Sequence, residues 1–244
     1  MLTLRNVHWK AGATHVIKWI DMDVKTWQAI GIVGPNWCGK SSLLNTINGF
    51  NTVNDGKIVF CDTDITTASV EKRADMWIWR VFQSFGIFKS LTLFENLSLA
   101  YVKQLWWKQK LLPLSFLPQR IKDEIDAVLQ DLDLYDKKHE RAGNLSVGQM
   151  RLLEIARLYL QDTKLYLLDE PTAGVSPKLK GKVIELINEI VAQEKTVIIV
   201  EHDFNFLGLF VHDFYVLNDG EVALTGDYET IKNSTVVQEL YFGD

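Results

Sequence analysis

Short runs of alternating apolar and polar residues fill the first 35 positions of the chain, as at Ile20, Met22 and Val24. A period of two places successive side chains on opposite faces, which is typical of antiparallel strands with one buried face. Residues 29–33 are apolar throughout and end at a Gly-Pro pair. This pattern predicts a buried strand that enters a loop at residue 34.

Helical spacing follows that loop. Within residues 41–50, Leu43, Leu44 and Ile47 fall on one side of a helix, and Gly49 is placed to cap its carboxyl end. Residues 54–56 read Asn-Asp-Gly and indicate a turn, which leads into a strand over residues 57–60.

The middle of the chain, approximately residues 85–160, has an interrupted helical pattern. Pro113 and Pro118 break it, and helix-spaced apolar positions run over residues 120–134. An α/β rhythm then returns, with strands at 165–168 and 196–200, a helix over 179–193 and a strand with a turn at 213–221. Strands that alternate with helices imply a parallel sheet with helices on its faces.

The sequence therefore predicts one α/β domain over residues 1–244. Its parallel-sheet core comprises approximately residues 1–84 and 161–244 and includes an amino-terminal antiparallel β subdomain. The helical pattern of approximately residues 85–160 predicts an inserted helical subdomain.

Composition narrows the class of protein. The 244 residues are 47% hydrophobic and 23% charged, with a formal net charge of -5, which is typical of a globular domain. An acidic balance disfavours nucleic acid as the main ligand, because phosphate tracks need a basic stripe. We find no 18-residue apolar run and no signal-peptide core at the amino terminus, and the two cysteines form no CxxC pair or metal-spaced cluster. We expect a reducing, cytoplasmic setting.

The first chemical motif is a phosphate loop. Residues 34–41 read Gly-Pro-Asn-Trp-Cys-Gly-Lys-Ser and satisfy the pattern G-x-x-x-x-G-K-[ST]. The motif follows an apolar strand and precedes a helix, so that backbone N–H groups and the helix amino terminus converge on phosphate oxygens. Lys40 is expected to reach the β- and γ-phosphates, and the Ser41 hydroxyl to ligate Mg²⁺.

A second motif supplies carboxylates. The apolar strand of residues 165–168 ends in Asp169 and Glu170. One carboxylate at a strand tip can hold the water shell of Mg²⁺, and the next can orient the attacking water. Phosphoryl transfer needs little more than this positioning and charge stabilisation.

With these motifs in place, the whole chain resembles the ATP-binding subunits of ABC (ATP-binding cassette) transporters, which are P-loop NTPases with a RecA-like core. Residues 145–149, Leu-Ser-Val-Gly-Gln, resemble the LSGGQ signature of that family. Residues 81–83 resemble its Q-loop, 173–176 its D-loop and 200–203 its H-loop, and all stand in the family's order. Within the family, the phrases GQMRLLEIAR and DEPTAGVSP, the helical insertion and the ending VVQELYFGD resemble ATPases of branched-chain amino-acid importers. Related ATPases for lipopolysaccharide export or urea uptake share much of the scaffold.

The resemblance implies a role for each motif. Glu170 is expected to be the general base, His202 the γ-phosphate sensor, and Gln83 a contact to Mg²⁺ or the attacking water. Asp169 and Ser41 complete the Mg²⁺ side. The residues expected to wrap the nucleotide phosphates are Gly34, Pro35, Asn36, Trp37, Cys38, Gly39, Lys40, Ser41 and Ser42. Those expected to complete the ATP site of a partner subunit are Ser146, Val147, Gly148 and Gln149.

Three positions depart from the family pattern. Trp37 and Val147 stand where the family usually has glycine, and Ala11 stands where it usually has an aromatic residue that stacks on adenine. Trp9 shares a face with Ala11 on an ideal strand and is a candidate replacement. We hypothesise that these departures leave nucleotide binding intact and reduce hydrolysis.

Two further features have a functional and a structural interpretation. Cys38 lies near a helix amino terminus, where the pKa of a thiol tends to fall, and is either an oxidation-sensitive site or, as we favour, an inert filler. The aromatic and basic residues 105–112 indicate either contact with a membrane interface or, as we favour, packing within the helical subdomain.

The resemblance implies an ATPase subunit that uses ATP and Mg²⁺ to power uptake of a small polar solute, namely a branched-chain or related amino acid. It implies a second ATP-binding subunit, identical or different, and transmembrane permease subunits that tether the chain to the inner face of the cell membrane. One alternative is a hydrolysis-impaired regulatory partner in a heteromeric transporter. Another is an ABC ATPase that acts on nucleic acid or ribosomes, which the single cassette and acidic charge disfavour.

Overall fold

A computed structural model describes residues 1–81, 86–101, 117–161 and 163–242. The amino-terminal part forms a four-stranded antiparallel sheet in the order β2-β1-β4-β5. Its strands are β1 (Leu2–Ala11), β2 (Thr14–Val24), β4 (Asp55–Phe60) and β5 (Thr63–Asp64). The alternation of apolar and polar residues over residues 2–24 thus forms the predicted antiparallel strands.

The second sheet has six strands in the order β10-β9-β3-β8-β7-β6. These are β3 (Ala29–Val33), β6 (Ile78–Val81), β7 (Leu165–Asp169), β8 (Thr196–Val200), β9 (Asp213–Asn218) and β10 (Glu221–Asp227). Strand β3 pairs in parallel with β8 and β9, β7 pairs in parallel with β8, and β10 joins β9 as an antiparallel edge. The parallel sheet predicted from the alternating pattern is confirmed.

Helices connect these strands. They are α1 (Lys40–Asn48), α2 (Val70–Asp75), α3 (Leu93–Ser98), α4 (Gln119–Asp131), α5 (Val147–Tyr159), α6 (Pro177–Ala192), α7 (Phe204–Leu207), α8 (Tyr228–Lys232) and α9 (Thr235–Phe242). Short 3-10 turns lie at Leu99–Tyr101, Tyr135–Lys137 and Ala142–Asn144. Gly49 caps α1 in the left-handed conformation, as predicted. In the part of the chain that the structure covers, no helix is both long and apolar enough to cross a membrane.

The chain divides into two compact units. The first comprises Met1–Arg80, Thr163–Glu170 and Val191–Asp244. Its core joins apolar side chains of both sheets and of α1, with Leu4, Ile32 and Leu43 fully buried. Burial of this size is the main favourable contribution to folding.

The second unit comprises Val81–Asp162 and Pro171–Ile190, and most of its described residues lie in helices. Inside it, Arg151 and Glu154 form a buried ion pair at 2.8 Å, and the Glu154 carboxylate also accepts the N–H of Gly86 at 2.9 Å. Such charges are tolerated in a core because each has a partner. The assignment of these units to the predicted nucleotide-binding core and helical subdomain remains a prediction.

Two local predictions need correction. The turn expected at residues 54–56 is shorter, because β4 already begins at Asp55. Gly56 adopts φ 90° where the pairing of β1 with β4 shifts register, and a Cβ there would meet the Asn6 carbonyl oxygen at 2.1 Å. The helix expected over 179–193 starts two residues earlier, at Pro177, whose fixed φ suits a first helical turn. Pro113 and residues 105–112 lie outside the described residues.

Candidate nucleotide-binding site

Two glycines set the backbone of the loop between β3 and α1. Gly34 has φ 152°, and a Cβ at this position would lie 2.1 Å from the Leu217 carbonyl oxygen. Gly39 has φ 106° and immediately precedes α1. Only glycine combines this backbone with this close approach, which explains both glycines of the motif.

The lysine of the motif folds back over its own loop. Lys40 is buried, and its Nζ donates to the carbonyl oxygens of Gly34 at 2.8 Å and Pro35 at 2.7 Å. The loop thus holds an ammonium group beside the amino terminus of α1, where both the charge and the helix dipole favour an anion. This arrangement is suited to binding phosphate.

Trp37 combines a strained backbone with an exposed ring. Its φ is 68°, and its side chain is 100% exposed. The indole therefore points outward and leaves the interior of the loop clear. A left-handed backbone costs a non-glycine residue about 1–2 kcal/mol, so the loop keeps its shape at the expense of stability.

Cys38 fills space inside the loop. It is buried, and its Sγ lies 3.8 Å from the Lys40 Nζ. Burial raises the pKa of the Cys38 thiol and outweighs the opposing effect of Lys40. The expectation that its pKa falls is therefore wrong, and the interpretation as an inert filler agrees with the structure.

The first predicted Mg²⁺ ligands lie in contact. The Ser41 hydroxyl, on α1, donates to the Asp169 Oδ1 at the end of β7 at 3.1 Å. The neighbouring Ser42 is partly buried, and its carbonyl oxygen accepts a hydrogen bond from the Thr46 hydroxyl at 2.9 Å. A hydroxyl and a carboxylate side by side give an all-oxygen donor set, which hard cations prefer.

Sequence reasoning missed Arg80, the last residue of β6 before Val81. Its guanidinium forms an ion pair with the Asp169 Oδ2 at 2.6 Å, and both side chains are almost wholly buried. It also donates to the Asn45 Oδ1 at 2.5 Å and contacts the Ser41 carbonyl oxygen at 3.4 Å. A charged residue inside the apolar run IWRV was the available signal, but its partners are distant in sequence.

The second carboxylate lies beside the predicted sensor. The Glu170 Oε1 and the His202 Nε2 are 2.7 Å apart. Parallel pairing of β7 with β8 places Asp169 opposite Val200, so the residues after both strands emerge at one edge of the sheet. Glu170 has φ 48°, and its N–H donates to the Val200 carbonyl oxygen at 2.9 Å. Such strain in a non-glycine residue is found at functional sites.

The signature residues lie in the helical unit, at the start of α5. Ser146 caps the helix: its Oγ accepts the Gln149 N–H at 3.3 Å, and the Gln149 Oε1 accepts the Ser146 N–H at 3.1 Å. This reciprocal capping box fixes the helix start. Ser146 and Val147 are exposed, whereas Gly148 is buried, and a Cβ there would lie 3.0 Å from the Leu179 Cδ1.

Other predicted residues have these environments. Asn36 is exposed and Pro35 is partly buried. Trp9 is partly buried against the core of the first unit, whereas Ala11 is exposed, so the two side chains have different surroundings. The adenine-stacking role of Trp9 remains a prediction. Gln83 lies outside the described residues.

Comparison with known proteins agrees with this geometry. Residues 17–173 match the family described as ABC transporter. The chain belongs to the ABC transporter ATP-binding family and is an ATP-binding, ATP-hydrolysing subunit with the P-loop NTPase fold.

Individual relatives are close over most of the chain. It is 32% identical over 222 residues to a probable branched-chain amino acid transport ATP-binding protein LivG of Archaeoglobus fulgidus, covering 87% of this chain and 83% of that protein. It is 33% identical over 238 residues to the spermidine/putrescine import ATP-binding protein PotA of Clostridium acetobutylicum, covering 96% of this chain and 63% of that protein.

Solved structures are similar as well. The ATP-binding cassette MJ1267 of an ABC transporter superposes with a TM-score of 0.84 at 28% identity, covering 100% of this chain and 99% of that chain. A dimeric cassette, MJ0796, bound to ADP and Pi, superposes with a TM-score of 0.79 at 25% identity, covering 93% of this chain and 99% of that chain.

Proposed function

We propose that this subunit hydrolyses Mg-ATP to drive uptake of a branched-chain or related amino acid through a membrane permease. The observation that supports hydrolysis best is the contact of 2.7 Å between Glu170 and His202, directly after Asp169 and its Ser41 partner. The proposed base, its proposed orienting partner and the candidate metal-binding carboxylate are neighbours at and just after the ends of β7 and β8, which supports this assignment.

Ser41 and Asp169 fit Mg²⁺, since both offer oxygen to a cation that prefers oxygen ligands. Gln83 is proposed to join them. When bound, Mg²⁺ would offset the negative charge that develops on the transferred phosphoryl group.

The remaining steps belong to the residues of the chain. Lys40 and the loop N–H groups hold the phosphates, and Glu170 orients the attacking water and accepts its proton. His202, in contact with the Glu170 carboxylate, fixes the position of that base and senses the γ-phosphate. Positioning of this kind supplies most of the catalysis in phosphoryl transfer.

We further propose that the working unit is a dimer of cassettes on the cytoplasmic face of the membrane, tethered through permease subunits. Ser146, Val147, Gly148 and Gln149 of one cassette would complete the ATP site of the other. The capping box at Ser146 supports this proposal, because it leaves the start of α5 rigid and its serine exposed.

The proposed solute rests on the relatives named as branched-chain amino acid transport proteins, of which that of Archaeoglobus fulgidus is one. The similarity to a spermidine/putrescine import protein shows that this scaffold also serves other solutes. Reconstitution with the cognate permease and solute-binding protein tests the choice. ATP-dependent uptake of leucine or isoleucine is expected, and uptake of spermidine alone would contradict the proposal.

The test of hydrolysis is Glu170→Gln. It should reduce kcat about 100-fold or more, the usual contribution of a general base, while ATP binding persists. The matched control is Glu194→Gln, another glutamate with a left-handed backbone, φ 55°, which is exposed. Equal turnover in the Glu170 variant and the parent protein would reject the assigned base.

The regulatory alternative has no supporting observation, since Glu170 and His202 are both present and in contact. Tight Mg-ATP binding without turnover in the parent protein would favour the regulatory alternative. No observation favours the nucleic-acid alternative over the transporter.

A further inference from the structure

Arg80 is a buried cation in direct contact with Asp169, one of the proposed metal ligands. The side chains of Arg80 and Asp169 are 3% and 2% exposed, and they meet at 2.6 Å. Burial lowers the pKa of the Arg80 guanidinium, and the Asp169 carboxylate opposes that shift. Arginine nonetheless stays charged at physiological pH, so the carboxylate has a permanent partner.

The two oxygens of the Asp169 carboxylate have different partners. The Arg80 guanidinium occupies Oδ2, whereas Oδ1 accepts the Ser41 hydroxyl at 3.1 Å. Its other nitrogen is fixed to the Asn45 side chain on α1, the helix that also carries Ser41. The planar fork of one arginine thus joins the strand that carries Asp169 to the helix that carries Ser41.

We infer that Arg80 is a positioning residue for the metal: it fixes the rotamer of Asp169 so that Oδ1 stays beside the Ser41 hydroxyl. This inference rests on the proposed role of Asp169 and Ser41 in holding Mg²⁺. Lysine cannot replace Arg80 in this role, because an ammonium lacks the two-armed geometry that spans Asn45 and Asp169.

The test is Arg80→Lys, with the affinity for a fluorescent ATP analogue measured in Mg²⁺ and in EDTA. We expect the tightening of binding by Mg²⁺ to fall at least about tenfold, as for other residues that orient a metal ligand, with little change in EDTA. Asn45→Ala should reduce the same ratio less, because it removes only one anchor. Affinity is read separately from turnover, so a failure of hydrolysis in the parent protein leaves this result interpretable.

Arg73→Lys is the matched control. Arg73 is also buried, and it donates to the Thr46 and Ile47 carbonyl oxygens at the opposite end of α1. The Arg73→Lys variant should have a lower melting temperature, but the ratio of its ATP-analogue affinities in Mg²⁺ and in EDTA should be unchanged. An unchanged ratio in Arg80→Lys, or equal losses in Mg²⁺ and EDTA, would overturn the inference, since either result means a purely structural role.

A second, independent observation concerns tryptophan. Of the eight tryptophans, six lie in the described residues, and four of these have a left-handed backbone: Trp19 at φ 50°, Trp27 at 62°, Trp37 at 68° and Trp77 at 70°. Trp27 and Trp37 are 67% and 100% exposed, so burial does not offset the strain. This backbone is disfavoured for bulky residues and free for glycine.

The structure assigns these four positions as glycine sites, and we propose that the chain made in its own organism carries glycine at all four. The codon UGA differs by one base from the tryptophan codon UGG, and different genetic codes read it as stop, tryptophan or glycine. If UGA encodes glycine in this organism, a single difference in the genetic code accounts for all four glycine sites. Four separate glycine-to-tryptophan mutations would each have to survive selection. At residue 37, reading UGA as glycine restores the glycine that is usual in the phosphate loop.

Peptide masses of the protein purified from its own organism test this proposal. Glycine at all four positions is expected, and tryptophan in any of these peptides, or a UGG codon at any of them in the gene, would overturn it. In recombinant protein, replacing Trp27 and Trp37 by glycine should raise the melting temperature by about 2–4 °C each. Trp9→Gly, which removes a ring packed against the core, should lower it, and a fall in all three variants would also count against glycine sites.

Discussion

The phosphate loop and the signature helix each carry a bulky residue where the family usually has glycine, yet the two residues have different physical consequences. Trp37 has φ 68° and a fully exposed ring. Val147 is the first residue of α5, directly after the cap, and is 47% exposed. A helical backbone suits valine almost as well as other residues, whereas a left-handed one does not suit tryptophan.

The comparison shows that the backbone conformation decides how easily a glycine is replaced: a helical position accepts a side chain, whereas a left-handed position is strained by one. At residue 37 the left-handed backbone lowers the free energy of unfolding, and the side chain is exposed to solvent. At residue 147 the backbone is relaxed, and the side chain packs close to Gly174 on the loop that follows Glu170: a Cβ added at Gly174 would lie 3.0 Å from the Val147 Cγ1. The first departure therefore affects stability through the backbone. The second leaves the backbone relaxed, and its effect is expected only in the proposed dimer.

The largest effect is expected for Gly34→Ala, where left-handed strain and overlap coincide. Its Cβ would meet the Leu217 carbonyl oxygen at 2.1 Å. We expect the free energy of unfolding to fall by about 3 kcal/mol and ATP binding to be lost, as measured by urea titration and nucleotide fluorescence. The control Gly181→Ala meets nothing within 4 Å in α6 and should gain up to about 1 kcal/mol. Similar results for both variants would contradict the backbone argument.

Trp37→Gly should act in the opposite direction. Relieved strain, set against the greater chain entropy of glycine, predicts a gain of about 1 kcal/mol in the free energy of unfolding. ATP affinity should hold or increase. Trp27→Gly, at a similar φ of 62°, is the matched control and should stabilise without any change in ATP affinity. Destabilisation by Trp37→Gly would show that the exposed indole has an unrecognised contact.

A smaller effect is expected for Val147→Gly. Loss of helix propensity and of the contact near Gly174 should cost up to about 1 kcal/mol of unfolding free energy. Turnover should rise, because the side chain no longer crowds the partner's nucleotide in the proposed dimer. Steady-state ATPase rate with the permease present is the measurement. An unchanged rate would mean that valine does not hinder closure.

The smallest effect concerns Cys38. Burial raises the pKa of its thiol, so the reactive thiolate forms only at more alkaline pH than for an ordinary cysteine. Alkylation followed by mass spectrometry at pH 7 should modify the exposed Cys61 first and Cys38 slowly, with Cys38 gaining as pH rises. Faster modification of Cys38 at pH 7 would contradict its role as an inert filler.

Much of the site could be predicted because its signals are local. The apolar run of residues 29–33 matches β3 at both ends, and Gly49 caps α1 as its position indicated. Both depend on residues within a few positions of one another. The meeting of Glu170 with His202 spans 32 positions, but it follows from parallel strands that end at a common edge.

The remaining features of the site depend on contacts and burial that the local sequence does not indicate. Arg80 meets an aspartate 89 positions away, and nothing in its neighbourhood of the sequence indicates that partner. The left-handed backbone at Trp37 has a partial signal, because the family usually has glycine there, but the minimal motif accepts any residue and does not fix the backbone. The pKa of Cys38 is raised instead of lowered because burial of the thiol, which the local sequence does not indicate, outweighs the effect of the neighbouring Lys40.

The hydrogen bonds of the Lys40 ammonium affect how tightly the loop can bind phosphate. Its ammonium is already bonded to two carbonyl oxygens of its own loop, at 2.8 and 2.7 Å. A phosphate that engages this lysine therefore takes part in an exchange of partners. The free energy of binding is the difference between two sets of contacts, and any residue that loosens the lysine from its carbonyls changes affinity without touching the ligand. The same two hydrogen bonds hold the loop curved around its own ammonium group, so Lys40 supports the shape of the loop as well as the binding of phosphate.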